Sequence, residues 1–371
     1  MRPNRSSFQP AARAADPRGR NRVDRRRRGC EGDIRVMDGP GERGRAAMDP
    51  AETTRVLVPL SRLRAYHTAT EDFFVIAHMG IARVPAEGWT LRVEGAVERP
   101  RTLDLAGLRA LPARSVTAVH ECFGNPVEPE VATRRVANVT WRGVPLRDVL
   151  EPAGLRPEAR VAWLEAADWG RFAGVESDRY VKDLPVDKAL DADTLLAYEV
   201  NGAPLTPEHG FPARLVAPGF FGTNSVKWLT RVHLSDRRPE GLFTTRLYNR
   251  EVRRDGRVER EPVRDLDVHA VIVDPAEGDA IVAGPRAVRG WAWSAAEVTR
   301  VEWSEDGGAT WASARIEPRR DRHAWQPFAF DWRATPGARA LACRATDARG
   351  RVQPDSGRNR IHAVAVRVSG A

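Results

Sequence analysis

The sequence predicts an α+β domain followed by an immunoglobulin-like β-sandwich. Over the first two thirds of the chain, short strand-like runs alternate irregularly with brief helical stretches, and Pro and Gly are frequent. This texture favours an α+β fold over a doubly wound parallel sheet. From about residue 263 the strand-like runs recur with turn signals roughly every 8–12 residues, which is typical of a sandwich.

The net charge of +9 is concentrated at the amino end of the 371-residue chain. Residues 1–47 contain thirteen Arg and six Asp or Glu, so they account for +7 and leave the remainder nearly neutral. We expect a disordered basic tail there, or alternatively a misassigned start upstream of Met48 or Met37. Its run of four arginines could touch nucleic acid or an acidic membrane, but composition favours a solvated tail, so no nucleic-acid partner is expected.

Residues 48–262 are predicted to form the first domain, with residues 51–70 as a lead-in. Two kinds of element alternate in it. Runs with strand composition are Thr90–Gly95, Val116–Val119 and Val161–Glu165, and helical stretches are Leu103–Leu111 and Leu146–Leu150.

Residues 263–371 are predicted to form the sandwich. Its strand-like runs are Val268–Val273, Val288–Trp293, Val298–Trp303 and Ala324–Phe330. The sequence Asp306-Gly307-Gly308 indicates a tight hairpin between two strands. Six tryptophans fall in this region, and we expect them to pack inside the sandwich: Trp291, Trp293, Trp303, Trp311, Trp325 and Trp332.

The three cysteines are too few for a disulfide framework. Cys30 lies in the tail, and Cys343 reads as a small apolar residue on an inward-facing strand position. No stretch approaches the roughly 20 apolar residues of a membrane helix. The tail lacks the apolar segment of a signal peptide. We therefore expect a cytoplasmic protein without a membrane span, and export stays open if the start site differs.

Cys122 stands in the run His120-Glu121-Cys122-Phe123-Gly124-Asn125, soon after a predicted strand. A thiol where a strand meets a loop, beside His and Glu, suits either ligation of a soft metal or nucleophilic attack. A nucleophile would use His120 or His209 as its base. These residues alone leave both chemistries open.

A second segment places cationic groups on glycine-rich loops. His209 and Arg214 flank a Gly-Phe-Pro turn, and the loop Pro218–Leu229 contains Lys227. Glycines let backbone N–H groups approach a ligand closely, and Arg and Lys donate to anions. The pattern favours a phosphate-bearing ligand. The alternative, a turn-capping His with two surface cations, is left open by this segment alone.

Together, the run around Cys122 and the stretch Leu196–Leu229 resemble the sulfite oxidase family of molybdenum enzymes, over about residues 70–370. The resemblance implies a sulfite-oxidase-like molybdopterin-binding domain of the bacterial type, with Cys122 as the catalytic metal ligand to molybdenum. It places Tyr248 as an active-site tyrosine near the metal oxygens. It also implies that the following residues hold the pterin and its phosphate: His78, Asp168, His209, Arg214, Ser225, Val226 and Lys227.

Two departures from the family pattern bear on the substrate. Sulfite-oxidising members carry Arg where this chain has Ile76, with Ala77 following, and again where it has Val127 near two glutamates. A small dianion such as sulfite needs cationic clamps, so these replacements favour a neutral or less charged substrate. Three other residues could supply the missing cation: Arg134, Arg135 and Arg246.

The resemblance implies oxygen-atom transfer on a small molecule, with electrons passed to a separate partner because no haem-binding module is recognised in the sequence. Reductive oxygen removal from a sulfoxide on the same cofactor is the alternative. Two further hypotheses are a cysteine-nucleophile hydrolase and a non-catalytic protein that binds through the sandwich. The resemblance also implies that residues 263–371 form a homodimer.

Overall fold

The computed structural model describes residues 53–126 and 133–370. The predictions for the basic tail, Cys30, the alternative starts and Val127 lie outside the described residues. Within the described ranges, no helix has the length and apolar character needed to cross a lipid bilayer.

The first domain is built mainly from short strands. Those in the described residues are β1 (Thr54–Val56), β2 (Val58–Pro59), β3 (Val75–Ala77), β4 (Thr90–Gly95), β5 (Arg101–Asp104), β6 (Arg114–Glu121), β7 (Thr133–Arg134), β8 (Val136–Pro145), β9 (Val161–Ala166), β10 (Gly170–Phe172), β11 (Val175–Ser177), β12 (Val181–Pro185), β13 (Leu195–Val200), β14 (Ala203–Pro204), β15 (Arg214–Val216), β16 (Leu229–Ser235), β17 (Asn249–Arg254) and β18 (Arg257–Pro262). The predicted strands fall within β4, β6 and β9.

Helices are few and short in this domain. The α-helices are α1 (Leu105–Arg109), α2 (Leu146–Leu150) and α3 (Val186–Ala189). Single 3₁₀ turns span Leu60–Arg62, Thr70–Asp72, Glu151–Ala153, Pro207–His209 and Gly222–Asn224, and one π-helix spans Leu242–Arg246. The predicted α+β domain is therefore mostly β.

Two five-stranded sheets frame the first domain. One has the order β12-β9-β16-β4-β5, and only its β16–β4 pair is parallel. The other has the order β14-β13-β8-β6, with β15 added on β13. Shorter two-stranded pairs are β1–β3, β2–β7, β10–β11 and β17–β18.

The sequence explains the start of α1. Asp104 accepts a hydrogen bond from the Gly107 amide at 2.7 Å, which caps the helix. Leu103, which we predicted as helical, instead pairs with Leu91 in the sheet. The helix therefore begins two residues later than predicted and buries Leu105 and Leu108 against the core.

The predicted lead-in is part of the folded domain. From residue 54 onward it forms β1 and β2, which pair with β3 and β7. Leu63 is almost fully buried, because it packs in a core shared with the second domain. The lead-in is thus part of the folded domain from residue 54 onward and not a separate approach to it.

The second domain consists of two facing sheets. Its strands are β19 (His269–Asp274), β20 (Ala280–Val282), β21 (Gly284–Trp293), β22 (Val298–Ser304), β23 (Ala312–Ser313), β24 (Arg315–Ile316), β25 (Gln326–Ala334), β26 (Gly337–Asp347) and β27 (His362–Ser369). One sheet has the order β19-β21-β25-β24 and the other β20-β27-β26-β22-β23. Cys343 is fully buried in the core between them, as predicted.

The predicted tight hairpin at Asp306-Gly307-Gly308 is wrong in length. Residues 305–311 form a longer loop between β22 and β23, and Trp303 pairs with Ala312. The Asp306 carboxylate stabilises that loop, because it accepts hydrogen bonds from the Thr310 amide and hydroxyl at 2.9 and 2.6 Å.

Five of the six tryptophans divide between two cores, and the sixth, Trp311, is half-buried outside both. Trp332 is buried inside the sandwich, where Trp303 stacks on Phe330 with ring centroids 4.3 Å apart. Three others pack instead in a core shared with the first domain: Trp291, Trp293 and Trp325. The prediction that all six pack within the sandwich is therefore wrong for these three and for Trp311. β21 ends on the face that meets the first domain.

Candidate active site

All nine residues predicted for the site line one cleft in the first domain. They come from seven separate stretches of chain. They are His78, Cys122, Asp168, His209, Arg214, Ser225, Val226, Lys227 and Tyr248.

Cys122 lies in the cleft directly after the end of β6. The strand ends at Glu121, and the Cys122 amide then donates to the Arg135 carbonyl at 2.9 Å. The Asn125 amide donates to the Cys122 carbonyl at 3.0 Å, which closes a turn around the thiol. Cys122 is partly exposed. Loss of hydration raises its pKa, while a hydrogen bond from Gly124 and the Arg135 guanidinium act in the opposite direction.

His209 and Arg214 are held together by a turn that depends on glycine. His209 ends a 3₁₀ turn, and Gly210 follows with a φ of +101°. A Cβ at Gly210 would lie 3.1 Å from the Cβ atoms of both Arg214 and Lys227. Only glycine allows this conformation and this close approach without strain.

The Arg214 guanidinium is buried on backbone carbonyls. It donates to the carbonyls of His209 and Ser225 at 3.1 and 2.8 Å, and it lies over the Trp141 ring at 4.9 Å. Burial lowers its pKa to about 9. A cation in this setting has lost its water without gaining a carboxylate.

The Lys227 ammonium, like the Arg214 guanidinium, donates hydrogen bonds to backbone carbonyls. It donates to the carbonyls of Ile76 and Glu208 at 3.0 and 2.9 Å. Burial, and then repulsion by Arg214, lowers its pKa to about 7. Among residues 53–126 and 133–370, no carboxylate forms an ion pair with either cation, so the cleft holds buried positive charge that favours an anion.

Asp168 and Tyr180 form an adjacent wall. The Tyr180 amide donates to the Asp168 carbonyl at 3.0 Å, and the Tyr180 hydroxyl donates to the Thr223 carbonyl at 2.8 Å. Burial raises the pKa of Asp168 to about 7, although Lys227 lowers it in part. Near neutral pH this carboxyl is therefore partly protonated and can both donate and accept hydrogen bonds.

Ser225 and Val226 connect the glycine-rich loop to β15. The Ser225 hydroxyl accepts from the Ala217 amide at 3.0 Å, and the Val226 carbonyl accepts from the Leu215 amide at 2.8 Å. Both residues are buried. The loop that bears Lys227 is consequently fixed along the strand that bears Arg214.

Tyr248 and His78 form a hydrogen-bonded pair beside Tyr180, whose ring centroid lies 6.0 Å from that of His78. The Tyr248 hydroxyl lies 2.5 Å from His78 Nε2. Burial lowers the pKa of His78 to about 3 and raises that of Tyr248. Both groups are therefore neutral at ordinary pH, with the hydroxyl as donor and the imidazole as acceptor.

An unusual backbone places Tyr248. The residue follows the π-helix and has a φ of +56°, in the left-handed region that non-glycine residues rarely adopt. Two side chains stabilise the π-helix. The buried Lys182 ammonium donates to the Phe243 carbonyl at 3.0 Å. Arg238 donates to the Thr244 carbonyl at 3.0 Å and pairs with Asp183. Such strain near a cleft is typical of functional positions.

Several lining residues were not predicted from the sequence. Phe73 stacks on His209 with ring centroids 4.3 Å apart and an interplanar angle of 12°. Others in this group are Tyr180, Glu208, Thr223 and Trp228, while His120 had been considered only as the base of a nucleophilic cysteine. Thr223 lies in the glycine-rich loop that the sequence had already indicated, so it could have been included. Trp228 lies in the same loop, whereas Phe73 and Tyr180 carry no comparable local signal.

The three arginines suggested as substitutes for the missing cation lie in different places. Arg134 is buried on the side of the second domain, where it influences His269 and Cys343. Arg246 is exposed. Arg135 is the one beside Cys122, and it also influences Tyr248. Ile76 and Ala77 do line the cleft.

The hydrolase hypothesis finds no support in this geometry. In the part of the chain that the structure describes, neither His120 nor His209 forms a hydrogen bond with the Cys122 sulfur, and burial lowers the pKa of both. The pKa of Cys122 is raised, whereas an activated nucleophile has a lowered one.

Comparisons with known proteins define the class. Residues 78–243 match the oxidoreductase molybdopterin binding domain, and residues 260–368 match the Mo-co oxidoreductase dimerisation domain. The protein is therefore a molybdopterin-dependent oxidoreductase.

Sulfite oxidase from Gallus gallus is 34% identical over 318 residues, which cover 78% of this chain and 68% of the relative. The mitochondrial sulfite oxidase of Homo sapiens is 32% identical and is covered over 58% of its length. In three dimensions, the sulfane dehydrogenase SoxCD from Paracoccus pantotrophus has a TM-score of 0.74 at 29% identity, with 85% of this chain and 88% of that chain covered. The chain belongs to the sulfite oxidase family.

The cofactor of this family is Mo-molybdopterin, and the residues of the cleft fit it. A phosphate suits Arg214 and Lys227, whose partners within the described residues are backbone carbonyls and one indole ring each. A metal held by sulfur suits a thiol as a further donor, and Cys122 supplies one in the same cleft.

Proposed function

We propose that this protein is an oxygen-atom transferase in which Cys122 is the protein ligand of molybdenum. The main observation behind this proposal is that the Cys122 thiol shares one cleft with the buried Arg214 and the half-buried Lys227. Within the described residues, neither cation has a carboxylate partner. When bound, the cofactor supplies a metal centre that exchanges an oxygen atom and two electrons with a substrate.

The residues of the cleft divide into two groups in this proposal. Arg214, Lys227 and His209 would hold the phosphate end of the cofactor, because two of them are cations and the third is packed beside them. Asp168, Ser225 and Val226 would hold the pterin. A partly protonated Asp168 can match both donors and acceptors on such a heterocycle.

Tyr248 would act at the substrate side. Its hydroxyl donates to His78 Nε2 and keeps two lone pairs for accepting a hydrogen bond. The pair can therefore orient a substrate and hold a proton at the hydroxyl without carrying charge. This gives His78 a second role besides the contact with the pterin.

We propose a sulfur compound less charged than sulfite as the substrate. Ile76 and Ala77 line the cleft with apolar surface, and Arg135 is the one suggested cation that lies beside Cys122. One guanidinium suits a singly charged group better than a dianion. Oxidation would consume one water and release two protons and two electrons to a separate partner. The reverse reaction on a sulfoxide would consume two of each and release water.

Elemental analysis tests the metal assignment. We expect about one molybdenum per chain in full-length protein from a host that makes the cofactor, and a large loss in Cys122→Ser. Wild-type protein without molybdenum from such a host would refute the proposal. Steady-state assays with sulfite, a small persulfide and a sulfoxide then separate the substrates. Activity with sulfite comparable to that with the others would contradict the charge argument.

For the remaining architecture we propose boundaries at 48–262 and 263–371, with an immunoglobulin-like topology in the second domain. The match of residues 260–368 to a dimerisation domain supports a homodimer. Light scattering on the purified chain tests this, and a monomeric mass at micromolar concentration would contradict it. A cytoplasmic location stays a prediction, which cell fractionation checks.

A further inference from the structure

Three tryptophans of the second domain donate hydrogen bonds into the first domain. Trp291 Nε1 donates to the Leu63 carbonyl at 2.5 Å, and Trp325 Nε1 donates to the Tyr66 carbonyl at 2.9 Å. The third bond, from Trp293 Nε1, ends on Glu121 Oε2 at 2.8 Å, directly before Cys122. All three rings are buried, so these bonds are shielded from water.

Arg358, also from the second domain, contacts the cysteine loop, which we define as Glu121–Pro126. Its guanidinium donates to the Asn125 carbonyl at 2.7 Å and lies 3.8 Å from Glu121 Oε1. It also covers the Phe123 ring at 5.0 Å. Arg358 also forms an ion pair with Asp267, which fixes the position of the guanidinium.

The loop and its carboxylate depend on these contacts. Glu121 is 1% exposed, and one of its oxygens accepts from Asn125 Nδ2 at 3.0 Å while the other accepts from Trp293. Without Trp293 or Arg358, a buried carboxyl would lose a partner or its nearest counter-charge. A buried polar group in that state favours local opening of the chain around it.

The second domain also covers the strand that leads to Cys122. β6 is the last strand in the order of its sheet. Its outer edge is paired with the second domain, because Ala118 forms a bridge with His323 and the Val119 amide donates to the His323 carbonyl at 2.9 Å. An otherwise free edge is thereby fixed along the approach to the thiol.

We propose that Trp293 and Arg358 are positioning residues that fix the Cys122 sulfur for the metal. The second domain would then complete the metal site of the first domain, in addition to any role in dimerisation. This inference rests on Cys122 being the metal ligand, and its structural half, the fixing of the loop, is measurable without the cofactor.

The test uses full-length chain produced without the cofactor. The rate of Cys122 alkylation by iodoacetamide is followed by mass spectrometry in wild type, Trp293→Phe and Arg358→Gln. We expect each variant to raise that rate about tenfold, because each removes a buried hydrogen bond that keeps the loop closed.

The second domain offers matched controls. Trp332→Phe removes a comparable indole bond, to Glu305 at 2.7 Å. Arg344→Gln removes a guanidinium that pairs with Glu302 at 3.0 Å and covers the Trp311 ring at 4.1 Å. Both controls should leave the rate within about twofold of wild type, since surroundings away from the loop are unchanged.

Alkylation of the fully buried Cys343 reports global opening in the same samples. Equal acceleration of Cys122 and Cys343 would show a general loss of stability and would overturn local positioning. Equal rates of Cys122 alkylation in the two variants and in their controls would also overturn local positioning. In the holoenzyme, the same two variants should lose molybdenum faster on dialysis. If the wild type binds no molybdenum, the metal assignment fails while the alkylation result still decides the positioning of the loop.

Discussion

Lys227 gives the sharpest test of the charge argument, through its effect on the stability of the cofactor-free chain. Its pKa is about 7 in the folded protein and 10.5 in a model peptide. One pKa unit corresponds to about 1.4 kcal/mol, so the half-buried ammonium costs roughly 4 kcal/mol of folding free energy at pH 7.

The sign of the pH dependence follows from this shift. Between pH 7 and pH 10.5 the unfolded chain binds a proton at Lys227 that the folded chain has largely released. Stability therefore rises with pH across this window, and the cost falls to about 1 kcal/mol at pH 10. Below pH 7 the cost stays at its full value.

Lys227→Met removes the free-energy cost of placing the ammonium in the folded protein. It also leaves the carbonyls of Ile76 and Glu208 without their donor. Each lost partner costs about 1 kcal/mol. We expect the cofactor-free variant to be about 2 kcal/mol more stable than wild type at pH 7 and about 1 kcal/mol less stable at pH 10. Urea unfolding followed by circular dichroism at both pH values measures the difference.

Lys188→Met is the control, because that ammonium has a carboxylate partner, Asp191, at 3.5 Å. Burial lowers the pKa of Lys188 too, but Asp191 offsets part of that effect, so the control should be stabilised less at pH 7 than Lys227→Met. An equal effect of Lys227→Met at pH 7 and pH 10 would refute the reasoning. In the holoenzyme the same substitution should reduce cofactor content, because a phosphate would lose its counter-charge.

Three further predictions concern the cleft. Tyr248→Phe should lower kcat about 10- to 100-fold with molybdenum content unchanged, since only the hydroxyl beside His78 is lost; an unchanged kcat in steady-state assays would contradict a role for that hydroxyl. Gly210→Ala should destabilise the protein by about 1–3 kcal/mol in urea unfolding, because its φ is +101° and the added Cβ lies 3.1 Å from two side chains; Gly174→Ala, also at positive φ but with open space around it, should cost less. Arg135→Gln should raise KM for an anionic substrate about tenfold and leave KM for a neutral sulfoxide unchanged; equal effects on both would exclude an electrostatic contact.

Local sequence was sufficient for much of the fold. The alternation of Leu91 and Val93 with exposed neighbours predicts β4, and the structure has it with the predicted bounds. Local sequence was insufficient to predict where helices and loops end. At α1, Leu103 joined a sheet because a partner at Leu91 was available, and no local propensity encodes that pairing.

For the site, motif order was informative where residues lie on loops with fixed spacing. His209, Arg214 and Lys227 could be placed in one site because a glycine-rich segment joins them. Phe73 and Tyr180 could not, since each reaches the cleft from a distant stretch and is recognised only by its contact with His209 or Thr223.

The sequence by itself indicated the class of this protein, because the run around Cys122 and the stretch Leu196–Leu229 together resemble the sulfite oxidase family, although the residue types alone left the chemistry of the thiol open. Only the tertiary structure decided how those groups are neutralised and fixed. Burial removes water from Arg214 and Lys227 without supplying a carboxylate. The sandwich residues Trp293 and Arg358, far along the chain from Cys122, close around its loop. Such contacts depend on the packing of two domains, which no local pattern specifies.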